Sequence, residues 1–113
     1  MAILAIAVPV LANKASQLQA PIGQLTGAKK ADFAASRNKL GVRERSFLQH
    51  TPRGDLIIVT LEGNDPAGAF VKFGQGADPF TQWFKAQVKD IHGIDLGAPP
   101  PGPLPKQVVD SGD

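Results

Sequence analysis

Apolar and polar residues alternate with a period of two in some stretches of the chain and follow the longer period of a helix in others. In residues 2–9 (AILAIAVP) Leu4, Ile6 and Val8 point one way and Ile3, Ala5 and Ala7 the other, since side chains change face at every residue of a strand. Both sides are apolar, so both are expected to be covered. Helices would take one side, and the alanine side would face something that needs room. The next extended pair is Val42–His50 and Asp55–Glu62, joined by Thr51-Pro52-Arg53-Gly54. Proline pre-sets φ and glycine accepts φ > 0, so these four residues suit a type I turn closed by a glycine bulge, and the pair reads as a hairpin.

Between these strands lies a broken helical crossover. From Asn13, read as an N-cap, Ala15, Leu18, Ile22 and Leu25 recur at helical spacing, but Pro21 should force a kink or a restart near Ala20. Residues 28–40 form a second, more polar helix with Phe33 and Leu40 on one face and Gly41 as its stop. After the hairpin, Asp65-Pro66 and Asp78-Pro79 are paired start signals, an acidic cap followed by proline at the first helical position. They predict a short helix, about Pro66 to Phe73, and a longer one, about Pro79 to His92. In the longer one Phe80, Trp83, Phe84, Val88 and Ile91 share a stripe. The proline tract at 97–105 reads as a polyproline II connector, and Lys106–Asp110 as a short last strand.

The order strand, broken helix, strand, strand, helices, strand is βαββαβ, an α+β arrangement of the ferredoxin-like, split-βαβ kind. It puts helices on one face of an antiparallel sheet and leaves the other bare. With 113 residues, positions 1–113 make one domain, large enough for a core without staples. The absence of cysteine removes disulfides and thiolate metal sites and suits a reducing cytosol, so a cytoplasmic location is expected. The apolar opening is too short to span a bilayer and lacks a basic leader, so it is read as a strand and no membrane partner is expected. The net charge of +2 hides seven cations between Lys14 and Arg45 and a net acidic remainder, read as a solvated helix face.

With a bulge at Gly54, one hairpin face would carry Glu44, Ser46, Leu48 and His50 beside Leu56, Ile58, Thr60 and Glu62. That polar set, with Ala5 and Ala7, is expected to line a cavity. A loop without the bulge would instead pair Arg43 with Glu62 and His50 with Asp55. Candidate catalytic residues are therefore His50, Glu62 and Glu44. Two facing carboxylates would raise a pKa, and histidine transfers protons near neutrality. Ser46, Thr60, Trp83 and His92 are the candidate ligand contacts. No metal-ligand spacing, phosphate loop or nucleophile elbow is present, which argues against phosphoryl transfer and nicotinamide chemistry. The central strand, Asp55–Val59, is aliphatic where RNA-binding sheets of this order stack bases on aromatic rings, so no nucleic-acid partner is expected.

The strand ending at Val8-Pro9-Val10, the Leu40-Gly41-Val42 entry to the hairpin, Gly54–Val59, the Asp78-Pro79-Phe80 helix start and Ile91–Asp95 together resemble the dimeric α/β-barrel superfamily. Antibiotic-biosynthesis-type monooxygenases and stress-responsive barrel proteins belong to it. The resemblance implies a homodimer with bare sheet faces together, and a small organic molecule bound or transformed at the sheet face without a permanently bound cofactor. If the chain is an enzyme, the resemblance implies cofactor-independent oxygenation or proton-transfer isomerisation, with haem held by a histidine as the variant that needs iron. The alternative is a non-catalytic stress-type or interaction protein whose dimer interface is simply packed.

Overall fold

The computed structural model describes residues 2–100 and 102–112; Met1, Asp113 and Pro101 of the proline tract lie outside the described residues. Strand β1 (Ala2–Pro9) leads through a single 3-10 turn (Ala15–Gln17) into helices α1 (Gln19–Thr26) and α2 (Lys30–Leu40). Strands β2 (Val42–Thr51) and β3 (Gly54–Gly63) form the hairpin, and α3 (Pro66–Gly74) and α4 (Pro79–His92) follow. The crossover does restart where proline requires it. Pro21 is the third residue of α1, where a backbone N–H has no partner within the helix, so its missing donor costs nothing. Asn13 caps neither segment, because the turn begins from Lys14 and α1 from Leu18. Both Asp-Pro signals start helices: Asp65 accepts from the Gly68 N–H at 3.0 Å, and Asp78 from the Thr81 N–H at 3.1 Å and its hydroxyl at 2.6 Å.

Among the described residues the sheet has three antiparallel strands in the order β1-β3-β2. The expected last strand is absent among the described residues, for Lys106–Asp110 has no regular structure and joins no ladder. Prolines 103 and 105 deprive its approach of backbone donors, and Val108 and Val109 stay more than four-fifths exposed. The tail nonetheless packs on the domain before that point. Leu96 lies against α3, where a Cβ on Gly74 would collide with its carbonyl, and Leu104 reaches the core.

The hairpin has no bulge. Arg43 pairs with Glu62, His50 with Asp55 and Thr51 with Gly54, across a two-residue loop of Pro52 and Arg53. The Thr51 hydroxyl holds this register by donating to the Gly54 carbonyl at 2.6 Å and accepting from the Arg53 N–H at 3.2 Å. Gly54 absorbs the reversal at φ +120, a conformation open only to glycine. Because strand side chains alternate, this one-residue difference moves all of β3 to the opposite partners. Glu44, Ser46, Leu48 and His50 therefore share a face with Ile57, Val59 and Leu61, and not with Leu56, Ile58, Thr60 and Glu62.

Ala5 and Ala7 also leave that set. Pairing of β1 with β3 puts Leu4, Ile6 and Val8 beside Leu61, Val59 and Ile57 on the helix side, and Ile3, Ala5 and Ala7 beside Glu62, Thr60 and Ile58 on the other. This second face carries no helix. Ile3, Ala5, Ala7, Arg43, Arg45 and Phe47 are exposed on it, with Phe47 at 53%. On the covered face the core falls into two clusters. Leu4, Val42, Leu61 and Ala69 pack at one end of β1, and Val10, Leu18 and Ile91 at the other.

Candidate functional site

Between those two clusters the helices stand off the sheet and enclose a cavity of about 460 Å³. Its floor is Ile6, Val8, Ile57 and Val59 of the sheet, and its walls include Ile22 and Leu25 of α1, Phe70 and Phe73 of α3, and Trp83, Phe84 and Val88 of α4. The strand residues face it because of the register just described. Ser46 and Leu48 belong to the same sheet face yet are exposed, so the helices leave the cavity open along β2. The size falls within the range of small-molecule sites, which are mostly apolar with a few fixed polar groups.

Here the polar feature is an ion pair. The Arg37 Nε donates to the Glu44 Oε1 at 2.8 Å, and the two side chains are 8% and 6% exposed. Both line the cavity. Arg37 lies in the last turn of α2, Gly41 reverses the chain at φ 74, and Glu44 is the third residue of β2, so the pair closes a short helix-to-strand connection. The guanidinium sits among three rings, 4.2 Å from Phe73 and 4.9 Å from both Phe33 and Phe84, where arginine stacks well. Its Nη1 donates to the Ser36 hydroxyl at 2.9 Å. Burial pushes the Glu44 carboxyl above the ordinary glutamate value of 4.5; the charge of Arg37 and its hydrogen bond oppose that shift only in part. A carboxyl held in this way can take or give a proton closer to neutrality than an exposed one.

Of the residues singled out from sequence, Glu44, Ser46, Trp83 and His92 line the cavity. Trp83 also carries the Lys29 ammonium 4.9 Å from its ring. The His92 Nδ1 lies 2.7 Å from the Pro9 carbonyl, which can only accept, so Nδ1 is the donor in this contact. His50, Glu62 and Thr60 are elsewhere. His50 stands exposed at the hairpin end, its Nδ1 2.7 Å from Asp55 Oδ1. Thr60 and Glu62 are on the helix-free face, where Arg45 Nη1 approaches Glu62 Oε1 at 3.6 Å. Glu44 and Glu62 thus sit on opposite faces of the sheet, and the expected repulsion between facing carboxylates does not arise.

Arg37 went unrecognised in the sequence because it was counted only as part of a charged run. The signal was present: it falls four residues after Phe33 and three before Leu40, on the one face of α2 that carries both. A cation on an apolar stripe calls for a buried acid, and Glu44 stands four residues beyond Leu40. Among the described residues no group of three or more histidines and carboxylates is placed to hold a metal ion, and no helix is long and apolar enough to cross a membrane. Comparison of the chain with protein families, with curated proteins and with solved structures gave no match.

Proposed function

We propose that this chain binds a small organic molecule in the cavity between its sheet and helices, and that two copies pair through their helix-free sheet faces as a ferredoxin-like, dimeric α/β barrel. The observation that carries the first part is the open apolar cavity of about 460 Å³ with a buried carboxylate and guanidinium in its wall. A buried ion pair is weak evidence for stability, since well-packed apolar residues do as well or better. Polar groups placed where they can meet a ligand have a use that packing does not supply. Any chemistry done on that ligand would be proton transfer by Glu44, among the described residues the one cavity carboxyl, which burial moves toward neutrality.

Support for the assembly comes from strand order and from exposure. β1 and β2 both run antiparallel to β3, which lies between them, and the two-helix crossover joins them as in a split βαβ unit. A fourth strand in that arrangement would follow the free edge of β1. The bare face sets Phe47 against Ile58 and Ala7 at its middle, an apolar stripe of the kind that is rarely left in water.

The ligand reading is tested with the uncharged dye N-phenyl-1-naphthylamine and then a metabolite panel, read by the fluorescence of Trp83, the single tryptophan, and by thermal shift. Saturable quenching together with a raised melting temperature is expected. A protein that neither quenches nor shifts with any compound would be a packed interaction module, and the cavity would have no ligand.

A further inference from the structure

The ion pair is not fully used. Arg37 spends its Nε on Glu44 and its Nη1 on Ser36, and among the described residues neither Arg37 Nη2 nor Glu44 Oε2 has a protein hydrogen-bond partner. No fully enclosed side-chain polar atom lacks a partner among those residues, so these two atoms keep some accessible surface, and both residues line the cavity. The result is one free donor and one free acceptor on two ion-paired side chains, each more than nine-tenths buried, in a wall that is otherwise largely apolar.

Resting on the reading of this cavity as a ligand site, we propose that its ligand is uncharged: an apolar body ending in a group that presents a hydrogen-bond donor next to an acceptor, as a primary amide does. The donor would meet Glu44 Oε2 and the acceptor Arg37 Nη2. Charge balance selects against the alternatives. Arg37 and Glu44 already neutralise each other, and among the described residues His92 is the only other titratable side chain lining the cavity. A carboxylate would approach Arg37 only by facing Glu44, and an ammonium would meet Glu44 only by facing Arg37. Either would leave one net charge in a poorly solvated space, where a lone charge is costly. An apolar body without a head group would leave both open atoms unsatisfied, which costs more than the bonds themselves are worth. Trp83, Phe70, Ile57 and Val59 then provide the apolar surface for the body.

The test uses the full chain and four probes with one hydrocarbon body: octanamide, octanol, octanoate and octylammonium, each titrated by calorimetry and by Trp83 fluorescence. Octanamide is expected to bind about tenfold more tightly than either charged probe, with octanol between, as hydrogen bonds to charged partners imply. Glu44→Gln and Glu44→Ala each leave the Arg37 charge uncompensated, so in both variants octanoate should overtake octanamide. Equal or tighter binding of octanoate or octylammonium to the unaltered protein would overturn the head-group assignment, as would no exchange of preference in the variants. Binding of the uncharged dye N-phenyl-1-naphthylamine with none of the four probes would overturn it too and leave the cavity reading standing. Failure of the dye as well would remove the cavity reading itself.

Discussion

Arg37 and Glu44 meet through one 2.8 Å hydrogen bond that joins the last turn of α2 to the start of β2 beneath three phenylalanine rings. The two do not contribute symmetrically. Glu44→Leu leaves a guanidinium that cannot neutralise itself and should cost about 3 kcal/mol. Arg37→Met leaves a carboxyl that can take up a proton, so its cost should be smaller. The double variant should regain roughly 2 kcal/mol relative to the sum of the singles. Urea unfolding of the four proteins measures this coupling, and strict additivity would mean that the pair does not act as a unit.

The same carboxyl predicts a pH dependence of definite sign. Its folded pKa lies above the ordinary value of 4.5, so the folded state holds its proton more tightly than the unfolded chain. The contribution of Glu44 to stability is thus greatest below that value and is lost as pH rises through the folded pKa. The melting temperature of the unaltered protein minus that of Glu44→Gln should fall between pH 4 and neutrality. A difference that is flat or rises with pH contradicts the assignment.

Asp78 has the opposite sign. The Thr81 hydroxyl and backbone N–H hold its carboxyl below the ordinary range. Its contribution is present above the unfolded value and is lost as pH falls through the folded one. Asp78→Ala removes the cap of α4 and should cost roughly 1 kcal/mol at neutral pH, less at low pH, by thermal unfolding.

Register gives a further prediction. Gly54 sits at φ +120, so Gly54→Ala should destabilise the hairpin by about 1–3 kcal/mol even though no neighbour stands within 4 Å of the added carbon. A neutral effect in chemical unfolding would show that the turn relaxes at no cost.

Phe47 tests the assembly. It is half-exposed at the middle of the helix-free face, opposite Ile58. Light scattering should give a dimer mass for the unaltered chain and a monomer mass for Phe47→Asp. A monomer before substitution would remove the barrel reading.

Much of the architecture was legible in the sequence. Asp-Pro pairs and terminal glycines set the ends of α2, α3 and α4, because capping is local chemistry decided within one turn. The face of β3 was not legible. Thr51, Pro52, Arg53 and Gly54 are compatible with a bulge and with its absence, and the Thr51 hydroxyl bonds that decide between them appear only in three dimensions. That single step displaced Glu62 and Thr60 from the site and kept Glu44 in it. The last strand failed for another reason: Val108 and Val109 have strand propensity, but propensity forms no ladder without a partner edge.

The division of the core has a thermodynamic consequence of its own. The Leu4 cluster and the Val10 cluster clamp the two ends of the sheet, while Ile6, Val8, Ile57 and Val59 between them remain only half-buried. The centre of the molecule therefore holds apolar area whose removal from water is still outstanding. An occupant that covers it would bring a negative heat-capacity change on binding and would join the two clamps through its own body. Amide protons in the middle of β3 would then exchange more slowly with the occupant than without it, and melting would sharpen as the two ends became one cooperative unit. In this fold the guest would serve as the missing layer of the host's interior.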